Sequence, residues 1–403
     1  MPVYYIGSED ADIEELNHIH VGASTHRWNT SQQGAVGRMK VDQDLLALLQ
    51  QVEGEWGVLP HGKEWVDLLK EAYQENETMA RATFRLVNKL LGRFGVVVLD
   101  ADATALKELL KPVCSFDLEA GQTEAVLNPA FNQMKEWGYS LQAFVRPVNL
   151  FYLKEGLRQR IEKKEDNWQV VGTMEQFNKQ QLKQELDQHP DRFSPNVILR
   201  GLYQSILLPD IAFIGGGSEV AYWIPLLPLF QKMGIPFPVL VLRNSFLLVS
   251  DEQSAKLNKL GLVAEQLFHP LGELVKKFYS HADHQNSSLS DELAWMQDFY
   301  SKLSQKAATV DFTLKGHTES LAKKAAHLLV GLEKKMASAT KRKYTDAERQ
   351  IQILKDSLFP KGQLQERYDN MGVYYARYGD QLFDHLIEAS HPLEARFTIL
   401  TVN

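Results

Sequence analysis

A chain of 403 residues exceeds what one hydrophobic core usually organises, so two or three domains are expected. Its 44% hydrophobic and 24% charged residues exclude a disordered or membrane class, and a formal charge of −7 excludes the dense cationic surface that holds nucleic acid or anionic membranes. The one cysteine, Cys114, excludes an intramolecular disulfide and reads as a buried structural thiol.

In chain order, Val3-Tyr4-Tyr5-Ile6 is a short strand that runs into the polar loop Gly7 to Asp12. The start lacks a signal-peptide pattern, and a cytoplasmic protein is expected. Amphipathic helical patterns cover Asp42 to Val52 and Lys63 to Leu91, and Gly95 to Leu99 is a second strand ending in Asp100-Ala101-Asp102. Strand, helix and strand suggest a parallel sheet, whose ligand crevice lies beyond the carboxyl ends of its strands. From Leu141 to Val171 the runs 143–146, 150–153 and 168–171 predict an antiparallel insertion, with a charged turn at 163–167 and a polar helix around Gln180 to Gln188. The parallel theme resumes at Ile211 to Ile214 and Val239 to Leu242. Between them Gly215-Gly216-Gly217-Ser218-Glu219 opens a helix through Tyr222, Trp223, Leu226 and Phe230. No apolar run reaches the roughly 20 residues of a membrane span, because Arg243 interrupts the best candidate, from Phe237 to Val249.

The last third changes period. Leu293, Met296, Phe299, Leu303, Ala307, Val310, Leu314, Leu321, Leu328, Leu332 and Met336 form a coiled-coil-like stripe. Lys341-Arg342-Lys343 interrupts it, and Ala347, Ile351, Leu354 and Leu358 restart it on a returning helix, so an antiparallel hairpin is expected. The expected organisation is a Rossmann-like α/β core over 1–250 with an antiparallel insertion near 141–190. A coiled-coil helical domain over 251–370 and a return to the core over 371–403, closed by the strand Phe397 to Leu400, complete it.

Candidate sites follow from chemistry at strand ends. Ser8, Glu9, Asp10 and Asp12 could hold an amine or hydrated Mg²⁺, with a solvated turn as the alternative. Asn17 and His18, with His20, could add hydrogen-bond donors or metal ligands; no cysteine or zinc spacing accompanies them, so structural histidines are the leading reading and no dedicated metal site is expected. The glycine turn Gly215-Gly216-Gly217, with Glu219, could meet an anion or be a structural turn, and it matches neither common phosphate-loop pattern. Arg146 with Asn149, and Arg243 with Asn244, place a guanidinium and an amide just after apolar runs, a pairing suited to carboxylate or phosphate. Asn196 and Arg200 lie in Ser194 to Arg200, where Arg200 is an anion contact or a surface charge. Tyr222-Trp223 is read as core first and as a stacking platform second.

Taken together, Val3 to Asp12, Asn17-His18, Trp28-Asn29 with Gly34-Ala35-Val36-Gly37-Arg38-Met39, Ser194 to Arg200 and Ile214 to Trp223 resemble one family. So do Pro236 to Val241 with Arg243-Asn244, and the end from His391-Pro392-Leu393 to Phe397-Thr398. It is the cysteine ligase family of bacillithiol biosynthesis. The resemblance implies a Rossmann-like core akin to class I aminoacyl-tRNA synthetases, with small connecting insertions and a C-terminal coiled coil that makes a homodimer. It implies that L-cysteine is joined to the amine of glucosaminyl-malate after activation by ATP or another nucleotide, with Mg²⁺ as an optional companion and no tightly bound cofactor. On this reading Glu9, Asp10, Asp12 and His18 serve the chemistry, and the remaining candidates bind substrate or nucleotide. The family carries a further stretch, roughly a domain fragment, before the position of Met1, so an incomplete core is expected. The rival readings are an inactive homologue acting as a dimeric assembly protein, and a nucleotidyltransferase-like enzyme for another amino acid.

Overall fold

The computed structural model describes residues 1–22, 24–282 and 289–402. The chain divides into two compact units, the first comprising Met1–Ser245 and Asp369–Thr398, the second Phe246–Tyr368 and Ile399–Asn403.

In the first unit, β1 (Val3–Ile6) leads to the hairpin of β2 (His18–Val21) and β3 (Ser24–Arg27), and then to helices α1 (Gln43–Trp56), α2 (Gly62–Ala72) and α3 (Met79–Leu91). The single helix expected over 63–91 is two. Asn76 adopts a left-handed φ of 66° between them, and Thr78 caps the start of α3 by accepting from the Arg81 N–H. Strand β4 (Val97–Asp100) then pairs in parallel with β1, Val3 opposite Val97 and Ile6 opposite Asp100. Helices α4 (Lys111–Leu118) and α5 (Gln122–Glu136) follow.

The insertion is an antiparallel five-stranded sheet made of β5 (Leu150–Lys154), β6 (Leu157–Lys164), β7 (Asn167–Val170), β8 (Gln176–Asn178) and β9 (Phe193–Pro195). Its order is β8-β7-β6-β5-β9. The stretch 143–146 forms no strand; it runs irregularly into the turn that Asn149 organises. Helix α6 (Lys179–Gln188) begins with a reciprocal cap between Asn178 and Gln181, and α7 (Val197–Leu207) follows β9.

A second parallel pair, β10 (Ala212–Gly215) with β11 (Val239–Leu242), is linked by α8 (Gly217–Trp223) and α9 (Leu227–Met233). The continuous helix expected through Phe230 breaks at 224–226, where Pro225 and Pro228 remove backbone donors. One parallel sheet was the expectation; among the described residues there are two parallel pairs, and no ladder joins them. One face of β10–β11, carrying Phe213 and Leu240, packs on a core that includes Leu199, Tyr203, Trp223 and Phe230. The other leaves Ile214 and Val239 64% and 63% exposed, unusual for parallel strands, which are normally covered on both faces.

In the second unit, β12 (Ser245–Ser250) pairs with β13 (Phe397–Val402) and leads into α10 (Asp251–Lys259), α11 (Leu271–Ala282), α12 (Ser290–Val310) and α13 (Leu314–Leu358). The helical hairpin exists, but it turns at Asp311–Thr313 and not at Lys341–Lys343, so α13 is one helix of 45 residues. Asp311 ends α12 in extended geometry and its carboxylate accepts from the Thr313 N–H and hydroxyl, whereas Lys341-Arg342-Lys343 contains no residue that breaks a helix. The chain then returns to the first unit through α14 (Met371–Tyr378), where Tyr375 packs on Trp65 at 5.0 Å.

Candidate functional site

The carboxyl ends of β1 and β4 lie side by side because the strands are parallel and in register, so the loops after Ile6 and Asp100 share one place. Ser8 donates to Asp100 at 2.5 Å. Gly37 closes the other side, donating its N–H to the Ser8 carbonyl at 2.8 Å; a Cβ at Gly37 would fall 2.6 Å from Ser8 Cα, so glycine is required there.

Around that junction, acid and base alternate. Lys107 is fully buried and serves Glu9, the Asp102 carboxylate at 3.3 Å and the Phe193 carbonyl at 3.0 Å. Arg38 grips Asp102 with two parallel bonds, Nε to Oδ2 at 2.5 Å and Nη2 to Oδ1 at 2.7 Å, and also reaches the Asp191 carbonyl. Asp10 is the more open acid: its Oδ1 accepts the Ala11 N–H, and its Oδ2 stands 3.7 Å from Arg200, which projects from α7. Burial, reinforced by Glu9 and Tyr203, pushes the Tyr5 hydroxyl well above its usual range. Tyr203 is anchored to the Ala101 carbonyl at 3.0 Å.

The cluster thus gathers Ser8, Glu9, Asp10 and Arg200 from the sequence candidates and adds Arg38, Lys107, Asp100 and Asp102. Asp12 lies outside it, exposed at the start of a short helix that its side chain does not cap. His18 sits on β2, its Nδ1 3.3 Å from Asn17 Oδ1 and its ring 5.2 Å from that of His20, while Asn17 also accepts from Arg27 at 2.9 Å. Those partners belong to the β2–β3 hairpin and not to the carboxylates.

Asn149 is buried and saturated. Its Nδ2 donates to Asp117 and to the Arg146 carbonyl, and its Oδ1 accepts from the Arg146 N–H and from Asn196 Nδ2, which uses both donors and both lone pairs. Burial raises the Asp117 carboxyl to about 6, against the pull of its hydrogen bonds from Asn149 and Thr123. Asn196 caps α7 by accepting from Ile198 and Leu199. Asn149 and Asn196 therefore seat the helix that carries Arg200 and have a structural task.

At the end of β10, Gly215 accepts the Arg243 N–H at 2.8 Å, and the Gly216 N–H donates to the Glu219 carboxylate at 2.7 Å. A carboxylate thus occupies the Gly216 N–H at the start of α8, a seven-residue helix, which argues for a structural turn at Gly215, Gly216 and Gly217. Trp223 is core, stacked on Phe213 at 4.0 Å. Tyr222 is half-buried with Arg200 and Glu219 among its charged neighbours, and Asn244 donates to the His391 carbonyl at 3.2 Å. Cys114 is buried, and burial raises its thiol far above the reactive range. Among the described residues no group of His, Cys, Asp and Glu is arranged to hold a metal ion, and no helix is long and apolar enough to cross a membrane.

The sequence profile of "Bacillithiol biosynthesis BshC, N-terminal Rossmann-like domain" matches residues 1–244, and that of "Bacillithiol biosynthesis BshC, C-terminal coiled-coil domain" matches residues 246–402. Three similar proteins bear the name "Putative cysteine ligase BshC". That of Flavobacterium johnsoniae is 34% identical over 402 residues, covering 100% of this chain and 75% of the relative. That of Cytophaga hutchinsonii is 34% identical, covering 97% of this chain and 73% of the relative, and that of Salinibacter ruber is 28% identical, covering 96% and 73%.

Proposed function

The chain belongs to the bacillithiol biosynthesis BshC family, and from that premise we propose that it is a ligase that adds L-cysteine to the amine of glucosaminyl-malate, the last step of bacillithiol formation. The match through both the Rossmann-like and the coiled-coil domain carries this reading, and the charge cluster at the ends of β1 and β4 supports it. Amide formation makes a bond from the sugar nitrogen to the cysteine carboxyl carbon, breaks a bond from that carbon to an oxygen, and frees a proton. The carboxylate must first be activated, for which ATP is the proposed co-substrate; no residue is assigned to it. Asp10, open and not committed to a buried partner, holds the attacking amine and takes its proton. Glu9 and Asp102 are held by Lys107 and Arg38 and set the field around it.

The test is mass spectrometry of the products from cysteine, glucosaminyl-malate and ATP. A product heavier than glucosaminyl-malate by one cysteine residue is expected, and Asp10→Asn lowers kcat/KM by about a hundredfold, a usual loss for a general base. A product that contains another amino acid, or none at all, overturns the proposal.

We further propose that the coiled-coil unit pairs with a second copy of the chain. Along α12 and α13, Trp295 and Leu328 are 72% and 74% exposed, which is costly for apolar side chains on a monomer. Sedimentation is expected to show a dimer that Leu328→Glu reduces to monomer; an unchanged sedimentation coefficient contradicts this.

A further inference from the structure

The catalytic proposal leaves a half-buried cation unused. Arg158 lies on β6, opposite Leu153 of β5, with its guanidinium 3.8 Å from the centre of the Phe151 ring. Its Nε is sealed from solvent and has no hydrogen-bond partner among the described residues. Burial lowers its affinity for the proton, and Asp10, Glu9 and Arg200 are the charges that act on it most strongly. The backbone explains that proximity. A Cβ at Gly34, whose φ is +93°, would fall 2.8 Å from the Leu157 nitrogen, so the loop before Arg38 rests on the β5–β6 turn; two residues later Val36 donates to the Asp10 carbonyl at 2.7 Å.

Arg158 and Arg200 act on each other as like charges, one with a sealed nitrogen that has no partner among the described residues and the other 3.7 Å from Asp10. The Tyr5 hydroxyl, whose charged neighbours include Arg200, is also buried, with no hydrogen-bond partner among the described residues. Such an arrangement is stable when an anion bridges the cations, and Arg does this with planar, bidentate geometry. We infer that Arg158 and Arg200 form a subsite for a substrate carboxylate, beside the acid that receives the substrate amine. A carboxylate suits the place better than a polyphosphate, because Glu9, Asp10 and Asp102 would repel a multiply charged group. The inference rests on the ligase reading, since both proposed reactants carry an amine and a carboxylate.

The test is calorimetric binding to the intact chain with four probes: L-cysteine, cysteamine (its analogue without a carboxylate), glucosaminyl-malate, and L-malate alone. Arg158→Met keeps the stem on Phe151 and removes the charge, Arg158→Lys restores the charge without the fork, and melting curves verify that each variant folds. Arg158→Met is expected to weaken a carboxylate probe about tenfold or more, with Arg158→Lys in between and cysteamine unaffected. The probe that responds identifies which reactant supplies the carboxylate. If carboxylate probes bind the parent and both variants alike, the subsite is overturned and the ligase reading stands. If malate binds through Arg158 while cysteine and glucosaminyl-malate do not bind, the subsite stands and the ligase reading falls. If no carboxylate probe binds the parent, both fall.

Discussion

Two strand ends of this protein occupy equivalent places in parallel strand pairs and differ in electrostatic content. Beyond β1 and β4, Glu9, Asp10, Asp100 and Asp102 meet Arg38, Lys107 and Arg200, and several of these groups are buried. Beyond β10, a glycine turn closes on itself, with the Glu219 carboxylate on the Gly216 N–H. The rule that ligands bind past the carboxyl ends of parallel strands nominates both ends equally. What separates them is whether residues far apart in sequence bring charge into the loop. At the first end they do, Lys107 from 98 positions away and Arg38 from 64 positions away. At the second, the Gly216 N–H takes its carboxylate from three residues away, within the turn itself, and Arg243 at the end of β11 meets Gly215 through its backbone N–H.

The comparison is most exposed at Lys107. If the first end is a buried ion cluster, Lys107→Met leaves Glu9 and Asp102 without their shared cation in a place that water barely reaches. A loss of about 3–5 kcal/mol is expected, the usual cost of breaking one partner out of a buried ion pair. Urea unfolding reads it, as a lower midpoint with an unchanged slope. A loss below about 1 kcal/mol, the range of surface pairs, would mean that the cluster is solvated and that the contrast is one of composition only.

How far these features can be read from the sequence depends on whether their causes are local. Strands β1, β4, β10 and β11 announce themselves as short apolar runs, and Asp10 is legible as an acid at a strand end. Lys107 is not: it ends the four-residue helix Thr104–Lys107 and reads like any surface lysine, because its burial is produced by Glu9 and by β9. Arg158 is hidden among the charges of Leu157–Lys164, and only the approach of the Gly34 loop to the β5–β6 turn brings its strand toward the Asp10 loop. Asn149 and Asn196 mislead in the opposite way. Amides beside an arginine resemble ligand donors, yet four hydrogen bonds, two to the Arg146 backbone, one to Asp117 and one from Asn196, consume the Asn149 side chain completely. The coiled coil shows the same limit. Its stripe is visible by period, but its turn is not: the basic run Lys341-Arg342-Lys343 interrupts the stripe without ending the helix, because charge alone does not end one, whereas Asp311 accepting from Thr313 does.

The smallest expected effect tests the second end. Glu219→Gln keeps an oxygen that can accept the Gly216 N–H and removes the negative charge at the start of α8. As a structural change it costs about 0.3–1 kcal/mol, the scale of one charge at an exposed helix terminus. Its value lies in what it does to anions. If the glycine turn is a phosphate site masked by its own carboxylate, the variant no longer repels the anion and holds the Gly216 N–H with a neutral acceptor that an anion can displace, and ATP affinity rises by about tenfold, equivalent to about 1.4 kcal/mol. If the turn is structural, as the closed hydrogen bond and the short helix argue, ATP affinity changes by less than about twofold, within the few tenths of a kcal/mol of a surface substitution. The second outcome is expected. The first would make the two strand ends alike, one a carboxylate subsite and the other a nucleotide subsite, and Glu219 would be the group that keeps the second closed.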